Sequence, residues 1–241
     1  MSTPKISNDL LKQVINESMN QPIHLPIDQA MKRIGIFGGT FDPIHLGHIH
    51  TAKQTALWLN LDKLFILPSH LPPHKTKTSA NTQQRLNMVE LVCRQDSSLT
   101  LDKRELNKNT PSYTVETLQE IKNEYPQAQL FFIIGMDSLL TFSTWHKHQE
   151  ILSLCHLVVN SRPSYTLDKK NIELTQLLAN HQINHPDELQ QQKAGGILIH
   201  DTKEWHISST EIRKRIKNNL NCDDLLLKCV ISYINKEELY R

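Results

Sequence analysis

The sequence predicts an α/β protein built on a doubly wound parallel sheet, with a small helical part at its C-terminal end. From Arg33 onward strand-like and helix-like segments alternate, as they do when each strand is followed by a crossover helix. Phe131-Phe132-Ile133-Ile134-Gly135 and Leu157-Val158-Val159-Asn160 are short, continuous apolar runs, the mark of strands covered on both faces. At Gly38-Gly39 a glycine turn joins a strand to the start of a helix, so the backbone can pass close to a ligand there.

Residues 1–30 stand apart as an N-terminal extension to a main domain spanning 31–241. Asn8 to Met19 fit a short amphipathic helix, after which Pro22 and Pro26 break any regular pattern. A flexible leader, an added helix and an early start codon all fit this composition. The first strand, near 33–38, rests on Ile34, Ile36 and Phe37, and helical periodicity begins at Leu46 and runs to 59. Further strands are predicted near 63–67, 98–101, 129–134, 156–160 and 196–200, and helices near 82–95, 113–124, 147–153, 168–180, 209–219 and 223–236. Ser208 or Ser209 caps the helix that opens at 209. Cys222 and Cys229, seven apart in a helical pattern, are expected to share a packing face. The Gln- and His-rich stretch from Asn180 to Lys193 reads as a surface loop.

The 241 residues suffice for one sizeable α/β domain with an ordinary core. Lys plus Arg (27) nearly balances Asp plus Glu (25), for a net charge of +2, so no whole-protein field attracts nucleic acid or a membrane surface. Any phosphate site must be local. No apolar run approaches the ~18 residues of a membrane span, and the N-terminus lacks the apolar core of a secretion signal. Four cysteines without Cys-x-x-Cys spacing fit free thiols in a reducing compartment, so a cytoplasmic location is expected.

The chemistry concentrates in Gly38-Gly39-Thr40-Phe41-Asp42-Pro43-Ile44-His45-Leu46-Gly47-His48. His45 and His48 stand three apart at a helix start, on one face, where unpaired backbone N–H groups and the helix dipole favour an anion. The run has neither the Gly-x-Gly-x-x-Gly spacing of dinucleotide folds nor the Gly-Lys-Ser/Thr of a P-loop. Zinc ligation by the histidines is the plainer alternative, but no Cys stands close by and Asp42 is the one carboxylate near them in sequence. The segment resembles the signature of the HxGH nucleotidylyltransferases, and within that superfamily the chain is most similar to the bacterial nicotinate-nucleotide adenylyltransferases. The resemblance implies their Rossmann-like fold and a natural start at Met31-Lys32-Arg33.

Four further motifs follow in the family's order. Ile207-Ser208-Ser209-Thr210-Glu211-Ile212-Arg213, by itself readable as simple capping, resembles the element that contacts the β- and γ-phosphates of ATP. Pro72-Pro73-His74-Lys75, in a proline-stiffened loop after the second strand, resembles a loop over the mononucleotide substrate, with Lys75 a point charge near phosphate. Pro111 to Leu118 and Ile134-Gly135-Met136-Asp137-Ser138-Leu139 also match. Asp137, just beyond Gly135, is placed for a ribose hydroxyl or the adenosine surroundings. Trp145 could be ordinary core; the resemblance implies stacking on a pyridine ring whose carboxylate takes backbone N–H bonds at Thr114 and His146. The chain departs from the family where Ser164 follows Pro163 in place of a common Gly, and where His146 replaces a frequent aromatic.

The resemblance thus implies adenylyl transfer from ATP to nicotinate mononucleotide, giving the deamido dinucleotide of the NAD pathway and pyrophosphate. His45 and His48, with the Thr40 backbone, would serve the α-phosphate, and Ser209, Thr210 and Arg213 the leaving pyrophosphate. Mg²⁺ is expected to ride on ATP phosphates and water, since no carboxylate cage is legible. A pantetheine-phosphate or polyol-phosphate acceptor is the neighbouring alternative, and a non-catalytic nucleotide-binding regulator the alternative of another class. Oligomeric state stays open.

Overall fold

Along the fourth strand, Leu130, Phe132 and Ile134 enter one buried cluster while Phe131 and Ile133 enter another, which is why the five residues from Leu130 to Ile134 are apolar without a break. The computed structural model describes residues 31–70, 78–107, 112–161, 171–189, 192–201 and 207–241; the predicted leader, residues 1–30, lies outside them. In chain order the elements are β1 (Arg33–Gly39), α1 (Leu46–Leu59), β2 (Lys63–Pro68), α2 (Thr82–Gln95), β3 (Thr100–Leu101), α3 (Thr114–Glu124), β4 (Gln129–Gly135) and α4 (Met136–Leu140). There follow α5 (His148–Leu154), β5 (His156–Ser161), α6 (Ile172–His181), β6 (Gln182–Ile183), β7 (Ile197–Asp201), α7 (Ser209–Lys217) and α8 (Lys228–Lys236).

The strands pair in the order β3-β2-β1-β4-β5-β7-β6, and every pair is parallel. On one face Phe37, Ile66, Phe131 and Val158 meet Ala52 and Leu59 of α1, Met88 and Val92 of α2, Ile212 of α7 and Val230 and Ile234 of α8. On the other, Ile36, Phe132 and Leu157 meet Leu118 and Ile121 of α3 and Ile151 of α5. Each such side chain removed from water contributes about 1.5–3 kcal/mol before conformational entropy is set against it. The fold is the expected α/β doubly wound sheet, with α7 and α8 as its helical C-terminal part. Among the described residues no helix is long and apolar enough to cross a membrane.

Three local expectations are corrected. Asn180 to Lys193 is not simply a surface loop: Gln182 and Ile183 form an edge strand in register with Ile197 and Leu198, and Leu189 is buried. A two-residue edge strand needs only one inward side chain, so polar composition hides it. The last helix begins at Lys228, with Leu227 as its N-cap, and Cys222 precedes it. Leu225 and Leu226 turn into the core there, so Cys222 and Cys229 reach the same cluster without sharing a helix. Helix α4, directly after β4, was not expected.

His156, on β5, is fully buried. Its Nδ1 accepts the Gly196 N–H at 3.0 Å, so its Nε2–H donates to the Gln192 carbonyl at 2.9 Å. Burial, aided by the Arg33 and Lys122 charges, lowers its pKa from 6.5 to about 4. Below pH 6.5 the unfolded chain therefore binds a proton that the folded chain refuses. This stabilisation is whole above 6.5 and falls toward pH 4, a loss of about 2 kcal/mol between pH 7 and 5. Buried His45, also lowered to about 4, acts in the same direction. Denaturant unfolding at the two pH values is expected to show a smaller pH effect in His156→Gln than in the parent, and an equal effect would contradict it.

Candidate active site

Because every strand runs the same way, the helices that follow them begin at one edge of the sheet, and strand order reverses between β1 and β4. A crevice outside the carboxyl ends of those two strands is where such sheets bind ligands. Gly38 and Gly39 end β1, and Gly135 ends neighbouring β4. A Cβ on Gly39 would lie 2.6 Å from the Phe41 ring, so only glycine lets the chain fold back over that side chain. Phe41 is buried and left-handed, with φ of 50°, and its ring meets His48 edge-on at 5.1 Å.

His45 is the N-cap of α1, in extended conformation. Its Nδ1 accepts the His48 N–H at 3.3 Å, and the His48 Nδ1 accepts the His45 N–H at 3.3 Å. Two histidines thus make a reciprocal capping box of the kind usually built from Ser and Glu, with the rings stacked at 3.6 Å. Since each Nδ1 is an acceptor, Nε2 carries the proton in each ring. Burial lowers the His45 pKa to about 4, so this ring is a neutral donor at pH 7. Of the first-turn backbone donors, Leu46 N–H is bound to the Leu225 carbonyl at 2.9 Å and His48 N–H to His45, while Gly47 N–H has no partner among the described residues.

The second predicted motif meets the first. Ser208 caps α7 by accepting the Glu211 N–H at 3.2 Å. Ser209 Oγ donates to the Pro43 carbonyl at 3.0 Å. Arg213 donates to the Asp42 carbonyl at 2.7 Å and to Thr210 Oγ1 at 3.2 Å. A Cβ on Gly47 would stand 3.2 Å from His45 Nδ1 and 3.4 Å from Ile207 Cβ, so glycine leaves room for the His45 ring where the two helix starts meet. The backbone N–H groups of Ser209 and Thr210 have no partner among the described residues and remain open to an anion.

Three residues that hold this arrangement escaped the sequence reading. The Asp42 carboxylate accepts the N–H groups of Ser79 at 2.8 Å and Ala80 at 3.0 Å and the Tyr240 hydroxyl at 2.8 Å. Burial, reinforced by Asp42, raises the Tyr240 pKa, keeping that hydroxyl a donor. Arg85, fully buried, donates to the carbonyls of Thr40 at 2.7 Å, Ser69 at 2.8 Å and His70 at 2.6 Å, tying the loop after β1 to the loop after β2. A signal for Arg85 existed: it shares the helical face of Met88, Val89 and Val92, a charge at a core position.

Tyr113 precedes α3 and gives it no side-chain cap, and its ring lies 4.4 Å from that of His146. The N–H groups of Thr114 and His146 have no partner among the described residues, so Tyr113 and His146 bring two open donors into one neighbourhood. Trp145 is partly buried, edge-on to Phe132 at 6.2 Å and tilted against Phe142 at 5.6 Å, and its buried Nε1 has no partner. It packs partly buried against the core cluster of that face. Asp137 is exposed on α4. His74 and Lys75 lie outside the described residues.

Residues 36–215 match the family model described as cytidylyltransferase-like. The chain is 47% identical over 207 residues, 86% of its length, to a probable nicotinate-nucleotide adenylyltransferase of Serratia proteamaculans, 94% of which is covered. It is 44% identical, over the same share, to nicotinate-nucleotide adenylyltransferase of Escherichia coli O157:H7, 97% of which is covered. Among solved structures, the nicotinic acid mononucleotide adenylyltransferase of Plasmodium falciparum complexed with NaAD superposes with a TM-score of 0.66 at 18% identity, over 87% of this chain and 97% of that one. The last likeness is one of fold.

Proposed function

Because the chain belongs to the nicotinate-nucleotide adenylyltransferase family, among the cytidylyltransferase-like proteins, we propose that the site at the carboxyl ends of β1 and β4 carries out that family's reaction. The adenylyl group of ATP passes to nicotinate mononucleotide, giving nicotinate adenine dinucleotide and pyrophosphate, a step of NAD biosynthesis. The observation that carries this reading is the stacked His45–His48 pair joined to the Ser209–Arg213 helix start through the Asp42 and Pro43 carbonyls.

The acceptor brings its own nucleophile, since a phosphate monoester with a second pKa near ~6 is largely dianionic at pH 7. No general base is required. The phosphate oxygen attacks the α-phosphorus of ATP as the bond to the bridging oxygen breaks, and pyrophosphate leaves with that electron pair. The His45 and His48 Nε2–H groups donate to α-phosphate oxygens where charge develops. Arg213 and the open N–H groups of Ser209 and Thr210 hold the leaving phosphates. In this assignment the Ser209 hydroxyl positions the loop, because its proton already goes to Pro43. These guanidinium, imidazole and amide donors suit phosphate oxygens, so Mg²⁺ is assigned to ATP itself, where it neutralises phosphate charge. Trp145 and the donors of Thr114 and His146 are assigned to the pyridine ring and its carboxylate, Asp137 and Gly135 to adenosine, and His74 with Lys75 to the mononucleotide. Four free thiols favour a cytoplasmic enzyme.

Arg213→Ala is expected to raise the KM for ATP by about ten- to a hundredfold through loss of a charge-assisted contact, with the KM for mononucleotide little changed. Damage confined to the mononucleotide KM would place Arg213 in the other pocket. The reaction itself is tested by pyrophosphate release from ATP with nicotinate mononucleotide, phosphopantetheine and a polyol phosphate as acceptors. Release is expected with the first, and silence with all three would leave the chain a nucleotide-binding regulator.

A further inference from the structure

A basic cleft of about 430 Å³ opens beside the site, lined by Ser79, Thr210, Arg213, Lys214, Lys217, Tyr240 and Arg241. Thr210, Arg213, Lys214 and Lys217 stand at helical positions i, i+3, i+4 and i+7 and so share one face of α7. The proposed reaction uses the first two and leaves the lysines idle. Both are exposed, and their side chains form no ion pair or hydrogen bond among the described residues. The acids nearby do not neutralise them. The Asp42 carboxylate is taken up by Ser79, Ala80 and Tyr240, Glu211 pairs with Arg215, and Glu238 pairs with Arg241 at 3.7 Å. The Tyr240–Asp42 bond fixes the far wall to the loop that precedes His45. In a chain whose overall charge is only +2, this cluster of cations is a local feature that calls for an anion.

We propose that the cleft is an outer anion site for inorganic pyrophosphate, which receives the diphosphate from Arg213 as it leaves and holds it through Lys214, Lys217 and Arg241. The proposal rests on the adenylyl-transfer reading, which makes pyrophosphate the leaving group and puts Arg213 at the inner end of the cleft. Two or three cations arranged along a cleft hold a diphosphate better than a monophosphate, because both phosphoryl groups can be met at once. The site makes product release a separate step and gives pyrophosphate a place from which to inhibit.

The test uses the full chain and measures pyrophosphate binding by calorimetry with no ATP or mononucleotide present. Orthophosphate is the second probe, and steady-state turnover is measured alongside. In Lys214→Ala/Lys217→Ala pyrophosphate is expected to bind about tenfold more weakly, while kcat and the KM for ATP stay within about twofold of the parent. Unchanged pyrophosphate affinity would overturn the site. So would an ATP KM rising as far as the pyrophosphate Kd, since the lysines would then belong to the triphosphate site, and so would equal affinity for orthophosphate and pyrophosphate in the parent. Because binding is read without substrates, a chain that bound pyrophosphate through these lysines yet turned over no acceptor would contradict the reaction and not the site.

Discussion

Replacing His48 with alanine is expected to lower kcat by about two to three orders of magnitude, the usual cost of removing one preorganised donor to a developing charge. The same loss is expected at His45, but the variant must be chosen with the fold in mind, because His45 caps α1. His45→Asn keeps an N-cap acceptor for the His48 N–H and deletes the Nε2–H donor, so a fall in turnover there cannot be ascribed to an unravelled helix. Melting temperature should move little in His45→Asn and modestly in His48→Ala, where one arm of the capping box is lost. If the two rings act on the same phosphate, the double variant should be much less impaired than the product of the single effects. Turnover within a few-fold of the parent in both single variants would remove the histidines from the chemistry.

The second large effect is expected at a residue distant from the chemistry. Arg85→Leu keeps an apolar side chain on the buried face of α2 but removes the donors to Thr40, Ser69 and His70. Buried carbonyls stripped of a charged donor cost about 1–3 kcal/mol each where water cannot reach them, and breaking a buried charged network typically costs about 3–5 kcal/mol in all. Burial already lowers the Arg85 pKa, so the guanidinium stays in place on the strength of those contacts. As a positioning residue it should also show in kinetics: protein that remains folded should bind ATP and mononucleotide more weakly, because the loops after β1 and β2 lose their common tie. A stability loss under about 1 kcal/mol with unchanged KM values would show the tie to be dispensable.

The alternation of elements from Arg33 and the doubly apolar runs of β4 and β5 were legible because apolar runs of this length are too short for a buried helix and fit strands covered on both faces. Gly39 and Gly47 were legible as glycines, but not the reasons for them: the Phe41 ring lies against Gly39 through the left-handed backbone at Phe41, and Ile207 reaches Gly47 from a distant part of the chain. The two-residue β6 was not legible, because an edge strand with a single inward apolar residue carries no period. The roles of His45 and His48 as mutual caps were hidden for a different reason. Histidine is not a usual capping residue, and only the backbone conformation at His45 turns its ring toward the His48 amide. The roles of Asp42 and Tyr240 went unread because they act through backbone amides and each other, which leave no pattern in sequence, whereas Arg85 did carry one, a charge among the core positions of α2.

The central claim, that the site is built for an acid acceptor, is tested most directly by kcat/KM for nicotinate mononucleotide against nicotinamide mononucleotide. Two open backbone donors, at Thr114 and His146, suit a carboxylate and would face the NH₂ of the amide donor to donor. An unpaired buried polar group costs about 1–3 kcal/mol and the missing charge adds to that, so a preference for the acid of about a hundredfold or more is expected. Equal use of the two acceptors would contradict it.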